Sequence, residues 1–238
     1  MPLDAALYLI PVGMSDSPID HYLPAHNVEI TRQIKHFIVE NVRTARRFLK
    51  KCDKAINIDE LTFYELNNHT DLSEVESYLA PLADGQPIGV MSEAGCPAVA
   101  DPGALPVAIA QRKGYKVVPL VGPSSILMAQ MASGFNGQGF AFNGYLPIEA
   151  SARNQKIKEL ENDAYRKDMT QIFIETPYRN NRLIETLCKT LRPDTLLCVA
   201  SAITDSDQES IVTLKVKQWT KRKYNYDKIP TIFLIYHP

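Results

Sequence analysis

Long apolar runs are missing from this chain of 238 residues, since none approaches the roughly 18 apolar residues that a membrane-spanning helix needs. The N-terminus lacks the basic segment of a signal peptide, and its apolar strand is interrupted by Pro11 and Gly13. Cysteine is scarce and forms no C-x-x-C pair, which argues against a disulfide framework and a zinc site. The four cysteines are Cys52, Cys96, Cys188 and Cys198. These absences predict a cytoplasmic protein with reduced thiols and no membrane partner.

Signatures of several enzyme classes are also absent. The chain has no G-x-x-x-x-G-K-S/T phosphate loop, and the sequence PVGMS after its first apolar run does not supply G-x-G-x-x-G. No two of its five histidines are spaced i, i+4, and there is no G-x-S-x-G nucleophile motif. P-loop chemistry, plain Rossmann dinucleotide binding, metallohydrolase activity and serine hydrolase activity are therefore not expected, and no metal site is predicted.

Charge is nearly balanced overall, with a net charge of -1, but it is unevenly distributed. Residues 31–54 hold eight lysines or arginines and two carboxylates, a balance of +6, whereas residues 59–84 hold seven carboxylates and no basic residue. Residues 215–228 hold six cations and one carboxylate. This segregation favours either the steering of a polyanion onto one face or the solvated faces of amphipathic helices.

Apolar runs alternate with helical spacing in the first half of the chain. Strands are predicted near residues 7–12, 37–40, 61–66, 88–91 and 115–121. Helices are predicted at 44–51, 72–82, 102–112 and 126–132. This alternation is typical of βαβ units with a parallel sheet.

The pattern changes after the glycine-rich residues 134–139, which are the best linker candidate. Strands are predicted at 140–145, 170–175, 195–200, 210–216 and 231–236, with helices near 151–162 and 178–191. More strands than helices indicates a mixed sheet. We therefore expect two α/β domains, residues 1–122 and residues 123–238.

One segment is especially informative: residues 92–103, with the sequence SEAGCPAVADPG, which we call the proline–glycine loop. It follows a buried-type strand and contains two glycines, two prolines and two carboxylates. Glycine permits close backbone approach or positive φ, and proline fixes φ, so this loop is shaped to hold a ligand against main chain. In an open α/β sheet such a site lies at the carboxyl end of a strand.

Five other motifs accompany the proline–glycine loop in a fixed order. They are LYLIPVG at 7–13, VENVR at 39–43, VPLVGPSS at 118–125, FNGYLP at 142–147 and FIETPYR at 173–179. Together they resemble the tetrapyrrole methylase superfamily, whose members use S-adenosylmethionine. The resemblance is strongest to its small-subunit ribosomal RNA (cytidine 2′-O)-methyltransferase branch.

The resemblance implies an enzyme that transfers a methyl group from S-adenosylmethionine to a ribose of ribosomal RNA. It also implies two α/β domains with the cofactor in the cleft between them, and a homodimer. It identifies no catalytic residue. The cofactor-binding positions that it implies are Pro11, Glu93, Ala94, Gly95, Pro97, Ser124, Ser125, Glu175, Ala200 and Thr231.

The chain departs from that branch at three places. Glu93 replaces an aspartate of the proline–glycine loop, and Asn41 replaces another carboxylate. Residues 201–205 read SAITD where the branch has R-E-L-T-K. Two alternatives therefore stay open: methylation of a tetrapyrrole-like or other small molecule, and a non-catalytic paralogue that only binds the cofactor.

Several side chains have two interpretations each. Arg43 and Arg179 are candidates for a phosphodiester of the substrate or for surface ion pairs. Glu175 is a candidate base, although a structural carboxylate is favoured, and Asp101 is expected to cap the following helix. Trp219, between lysines and arginines, suits either base stacking or an amphipathic surface hairpin.

Overall fold

Two five-stranded sheets, one in each half of the chain, organise the residues that the computed structural model describes, 3–67 and 69–237. The chain divides into a first unit that ends at Ser124 and a second that begins at Ser125. The sequence prediction placed the boundary between residues 122 and 123.

The first sheet is entirely parallel, with the strand order β3-β2-β4-β1-β5. Its strands are β1 (Ala6–Leu9), β2 (His36–Val39), β3 (Thr62–Glu65), β4 (Ile88–Met91) and β5 (Lys116–Pro119). The helices of this unit are α1 (Ala25–Thr31), α2 (Val42–Cys52), α3 (Ala80–Ala83) and α4 (Ala104–Arg112). The predicted parallel α/β domain is confirmed.

Alternate residues of β1 point to opposite faces of this sheet and build two cores. Tyr8 packs in one core with residues of α1 and α2, including Ile30 and Leu49. Leu7 packs in the other core with residues that include Ile109 of α4. The connections after β1 and β4 therefore run over opposite faces, and in open α/β sheets ligands bind beside the carboxyl ends of strands where the connections diverge in this way.

The second sheet is mixed, as predicted, with the strand order β6-β7-β10-β8-β9. Only the β6–β7 pair is parallel among its described strand pairs. Its strands are β6 (Phe140–Tyr145), β7 (Thr170–Ile174), β8 (Leu196–Ser201), β9 (Ser210–Lys215) and β10 (Thr231–Tyr236). The helices are α5 (Ser125–Ser133), α6 (Ala150–Lys167), α7 (Asn180–Thr190) and α8 (Val216–Trp219).

The core of the second unit lies between this sheet and the helices α6 and α7. Phe173 and Phe233 stack there with ring centroids 6.0 Å apart, against residues that include Leu160 and Leu187. Trp219 belongs to the same core: it is fully buried, and its indole N–H donates to the carbonyl oxygen of Leu197 at 2.9 Å. The suggestion that Trp219 stacks on a base is therefore wrong.

Residues 72–82 do not form the regular helix that their apolar spacing predicted. The Asp71 side chain accepts from the backbone N–H of Ser73 at 2.9 Å and from its hydroxyl at 2.8 Å, which fixes a turn. A short 3₁₀ helix, Ser77–Leu79, and the four-residue α3 follow. Pro81 lacks the N–H that a continuous helix would need, so Val75, Leu79 and Leu82 are buried from successive turns instead, whereas Leu72 is exposed.

The linker candidate, residues 134–139, lies inside the second unit and joins α5 to β6. Its Asn136 side chain donates to the carbonyl oxygen of Asp168 at 2.6 Å and accepts from the N–H of Gln138 at 2.9 Å. These bonds tie the segment to the neighbouring turn, so its glycines serve a loop within the unit and the linker interpretation is wrong.

Candidate functional site

Three loops meet at the carboxyl edge of the first sheet: residues 10–13 after β1, the proline–glycine loop after β4, and residues 120–124 after β5. The N–H of Val12 donates to the carbonyl oxygen of Gly95 at 3.0 Å, and the N–H of Gly95 returns a bond to Val12 at 3.2 Å. On the other side, the Cys96 thiol donates to the carbonyl oxygen of Pro123 at 3.3 Å. The proline–glycine loop is therefore held by main-chain hydrogen bonds on one side and by the Cys96 thiol on the other.

Two glycines make this close approach possible. Gly95 has a φ of 72°, a conformation that L side chains rarely adopt. A Cβ at Gly122 would lie 2.2 Å from the Cβ of Pro11, far inside van der Waals contact. The loop after β5 thus packs its backbone directly on the ring of Pro11, the first predicted cofactor-binding position.

Asp101 organises the second half of the proline–glycine loop. Its Oδ1 accepts from the N–H of Ala98 at 2.8 Å and from the N–H of Gly103 at 2.7 Å. Ala98 and Ala100 have φ values of 67° and 60°, which are strained for alanine and which these bonds help to hold. The predicted helix cap is wrong, because α4 begins at Ala104 with Gly103 at its N-cap and no side-chain cap bond.

The other carboxylate oxygen of Asp101, Oδ2, is buried and has no hydrogen-bond partner among the described residues. Burial raises the pKa of Asp101, and the N–H groups of Gly103 and Ala98 oppose that rise. The strand-to-helix turn therefore keeps one acceptor unpaired in its interior, which is a costly arrangement.

Two more carboxylates lie near Asp101. Burial raises the pKa of Glu40, and the charges of Asp101 and Glu93 raise it further, while the N–H of Glu93 lowers it. Glu93 itself is exposed and accepts from the Thr44 hydroxyl at 2.5 Å. Three carboxylates thus surround the start and end of the proline–glycine loop, and this local negative charge favours a positively charged ligand.

A cavity of about 150 Å³ opens beside this loop within the first unit. Its lining joins Gly13 and Ser92 of two sheet-edge loops to Thr44 and Arg47 of α2. The cavity is smaller than the roughly 300–1,000 Å³ of typical small-molecule sites, so it has room for part of such a ligand only.

Helix α2 begins next to this cavity because Asn41 caps it. The Asn41 side-chain oxygen accepts from the N–H of Arg43 at 2.9 Å and from the N–H of Thr44 at 3.3 Å. Arg43 is exposed and forms no ion pair with any residue in the described part of the chain. The carboxylate that the resemblance expected at position 41 is thus replaced by a neutral capping residue.

We expect Asn41→Ala to destabilise the protein by about 1 kcal/mol, because the first turn of α2 loses its cap. Asn41→Asp is the matched control, since it keeps a capping oxygen and carries a charge that a helix N-terminus favours. Urea denaturation of the three proteins measures the difference. Equal midpoints for Asn41→Ala and the wild type would show that the cap contributes nothing.

The predicted site residues of the second unit meet at one end of its sheet. Ile174 of β7 and Ala200 of β8 both pair with Ile232 of β10. Glu175, which directly follows β7, is therefore a near neighbour of Ala200 and Thr231. Ser125, another predicted position, is the first residue of α5. Their contacts with a cofactor stay a prediction, as do those of Ser124, Ala94 and Pro97.

Glu175 is a largely buried carboxylate with internal partners. Its Oε1 accepts from the N–H of Thr176 at 2.7 Å and from the Arg179 side chain at 3.0 and 2.8 Å. The structural role predicted for Glu175 is therefore present, because it accepts backbone and side-chain hydrogen bonds. The ion pair that was one of the two interpretations of Arg179 is present as well.

Ala200 and Glu175 face different sides of the sheet. Leu197 and Val199 point into the core beneath α6 and α7, so Ala200 points to the side that α5 covers, where it is fully buried. Glu175 lines a pocket together with Arg153 of α6.

The segment at 201–205, where the resemblance expects R-E-L-T-K, is a tight turn. Ala202 and Thr204 have φ values of 49° and 74°. The Asp205 side chain accepts from the N–H groups of Asp207 and Gln208, both at 3.0 Å. The turn therefore carries an acidic residue engaged with its own backbone.

Thr44 and Glu40 are site residues that sequence reasoning did not single out. Thr44 reaches Glu93, which is 49 residues away along the chain, and no local pattern encodes that contact. Glu40 directly follows β2 and lies within the VENVR motif, and its position at a strand end was the physical signal that could have found it.

Within residues 3–67 and 69–237 we find no group of three or more histidine, cysteine, aspartate or glutamate side chains arranged to hold a metal ion. No helix in the same residues has the length and apolar character needed to cross a membrane.

Comparison with known proteins places the chain near two groups. No family model matches it. It is 30% identical over 175 residues to the ribosomal RNA small subunit methyltransferase I of Vibrio cholerae, covering 73% of this chain and 56% of that protein. It is also 30% identical over 176 residues to the protein of the same name from Pasteurella multocida, covering 73% of this chain and 61% of that protein. The matched region thus spans less than two thirds of either relative.

Solved structures share the fold. The methyltransferase CobJ aligns with a TM-score of 0.62 and 18% identity, over 97% of this chain and 92% of that one. The cobalt precorrin-4 methyltransferase CbiF, a cobalamin biosynthetic enzyme, aligns with a TM-score of 0.59 and 15% identity, over 98% and 95% of the two chains.

Proposed function

We propose that the chain belongs to the tetrapyrrole methylase superfamily and is an S-adenosylmethionine-dependent methyltransferase that acts on a ribose 2′-hydroxyl of small-subunit ribosomal RNA. The observation that carries this proposal is the proline–glycine loop, which main-chain hydrogen bonds hold to the loop after β1 and the Cys96 thiol holds to the loop after β5. A loop fixed in this way presents peptide N–H and C=O groups at set angles to a ligand.

The residues at this loop fit a cationic methyl donor. S-adenosylmethionine, when bound, supplies a methyl group on a positively charged sulfur. The carboxylates of Glu40, Glu93 and Asp101 provide compensating negative charge, and the exposed Ala94 leaves the start of the loop open to solvent. The positions proposed to hold the cofactor in the first unit are Pro11, Glu93, Ala94, Gly95, Pro97 and Ser124, and those in the second unit are Ser125, Glu175, Ala200 and Thr231.

Positioning is the main contribution expected from the protein. Holding a nucleophilic oxygen in line with the methyl group supplies up to about 7–11 kcal/mol in favourable cases. The ribosomal RNA acceptor is supported by the names of the curated relatives and by the basic surface of α2. Arg43 on that helix and Arg179 in the second unit are proposed to contact the phosphate backbone.

A small-molecule acceptor is the second candidate. The turn at 201–205 carries Asp205 in place of the basic residues of the ribosomal RNA branch. An acidic turn there disfavours a polyanionic acceptor and is compatible with a neutral or cationic small molecule.

Labelled methyl transfer separates these acceptors. The purified protein and methyl-labelled S-adenosylmethionine are incubated with small ribosomal subunits from a strain that lacks the protein, and in parallel with a small-molecule extract. We expect label in the ribosomal RNA, at a ribose. Label only in the extract would establish the second candidate, and cofactor binding without transfer to either pool would identify a non-catalytic paralogue.

A cytoplasmic homodimer is also part of the proposal. The four cysteines are free, as in proteins of a reducing compartment. Leu127 and Met131, spaced i, i+4 on α5, are 52% and 83% exposed, and apolar side chains on one helix face suit a contact between subunits.

A further inference from the structure

A second pocket, of about 270 Å³, lies in the second unit between the start of α6 and the start of α7. Three arginines line it, Arg153 from α6, Arg179 from the turn before α7, and Arg182 from α7. Ile148, Glu175 and Thr186 complete much of its wall. We call it the arginine pocket.

Positive charge exceeds negative charge in the arginine pocket. Three guanidinium groups face one lining carboxylate, a balance of 3 − 1 = +2, and that carboxylate, Glu175, is bound to Arg179 at 2.8 Å. Outside the lining, Glu149 lies near Arg153, but its oxygens accept from the N–H groups of Ser151 and Ala152 at the start of α6.

Guanidinium donors remain available in this pocket. Arg153 uses one nitrogen, Nη1, to donate to the carbonyl oxygen of Ile148 at 2.8 Å. Arg182 is exposed and forms no ion pair with any residue that the structure describes. Arginine forks match the geometry of phosphate oxygens, so the ligand best suited to this pocket is a phosphate group.

An exposed aromatic ring accompanies the arginines. Tyr178 precedes Arg179 in the chain, and 75% of its surface is accessible; Ile148, in the pocket wall, is also 75% exposed. Single-stranded nucleic acid is bound by this combination, in which cationic side chains follow the backbone and aromatic rings stack on bases.

We propose that the arginine pocket and Tyr178 form a binding surface for single-stranded RNA, with a phosphodiester in the pocket and a base on the tyrosine ring. The proposal rests on the proposed function, because it identifies part of the surface that would hold the RNA substrate. It adds Arg153, Arg182 and Tyr178 to the residues that the sequence indicated.

The test is fluorescence anisotropy with a labelled single-stranded oligocytidylate of about ten nucleotides, within the usual site size for such surfaces. We expect Tyr178→Ala to weaken binding by about five- to hundredfold, the loss of one stacked base, and Tyr178→Phe to bind as the wild type does. Arg182→Gln is expected to lower the slope of log affinity against log salt by about 0.7, the loss of one phosphate contact on a single strand. The matched control is Lys158→Gln, which removes a charge from an exposed position of α6 outside the pocket.

Other outcomes overturn the inference. Equal effects of Arg182→Gln and Lys158→Gln would mean that the pocket has no special role. A concentration-dependent dimer in sedimentation that Tyr178→Ala abolishes would assign the surface to a second copy of the chain. Calorimetric titration of S-adenosylmethionine is run on the same proteins: cofactor binding without RNA binding contradicts this inference alone, whereas RNA binding without cofactor binding contradicts the proposed methyltransferase alone.

Discussion

Replacing Gly122 by alanine is expected to destabilise the protein by about 3 kcal/mol or more, at the upper end of overpacking effects. The added Cβ would lie 2.2 Å from the Cβ and 2.5 Å from the Cγ of Pro11, a buried and rigid ring that has no other rotamer to adopt. The loop after β5 or the loop after β1 must then move. Urea denaturation measures the loss in stability, and S-adenosylmethionine titration measures the expected loss in affinity.

Gly137→Ala is the matched control for this substitution. A Cβ at Gly137 meets nothing within 4 Å, and we expect its effect on stability to stay within about 0.5 kcal/mol, as at most surface positions. Gly122→Ala and Gly137→Ala with the same denaturation midpoint would show that the three loops are not packed as described.

Removing the Asp101 side chain is expected to have the second largest effect. Asp101→Ala leaves the N–H groups of Ala98 and Gly103 without their acceptor, and hydrogen bonds to a carboxylate contribute about 1.5–3 kcal/mol each. We expect a loss of about 3 kcal/mol in stability and weaker cofactor binding, because the strained alanines of the loop lose their support. Asp101→Asn keeps the Oδ1 acceptor and is therefore expected to keep the loop folded, and the loss of its charge should weaken cofactor binding less than Asp101→Ala does.

Asp101→Asn and the wild type are also expected to differ in the pH dependence of their stability. Burial raises the pKa of Asp101 above its ordinary value of 3.8, so the folded protein holds this proton more tightly than the unfolded chain. This tighter binding of the proton stabilises the folded state fully when the pH is below 3.8. The stabilisation is lost as the pH rises through the higher pKa that Asp101 has in the folded protein. The side-chain amide that Asp101→Asn introduces cannot ionise, so the stability of this variant relative to the wild type should increase from acidic to neutral pH.

Denaturation midpoints of Asp101→Asn and the wild type, measured from acidic to neutral pH, test whether the relative stability of the variant increases as predicted. The nearby carboxylates of Glu40 and Glu93 are present in both proteins, and the Asp101 charge contributes to the raised pKa of Glu40. A difference between the two proteins that does not change with pH would contradict a raised pKa for Asp101.

Regular structure with buried apolar runs was predictable from the sequence. The predicted strands at 140–145 and 231–236 coincide with β6 and β10. The second of these is a buried apolar run, whereas β6 is only partly buried and contains Asn143 and Gly144. The helix predicted over residues 72–82 was wrong because local geometry overrides the apolar pattern there. Their apolar spacing is helical, but the Asp71 turn and Pro81 impose local geometry that overrides it.

The location of the candidate site was predictable, but its internal contacts were not. Glycine and proline after an apolar strand predicted a shaped loop at the carboxyl edge of a sheet, and the structure places the proline–glycine loop there. The contact of Glu93 with Thr44 and the packing of Gly122 on Pro11 join residues far apart in the chain. Such contacts depend on the strand order, which a single sequence does not specify.

Calorimetric titration of S-adenosylmethionine into the purified protein tests the central claim most directly, with Gly137→Ala and Gly122→Ala measured beside the wild type. We expect one molecule bound per chain by the wild type and by Gly137→Ala, and markedly weaker binding by Gly122→Ala. No binding by the wild type, or equal binding by all three proteins, would contradict a cofactor site built on the packed loops of the first unit.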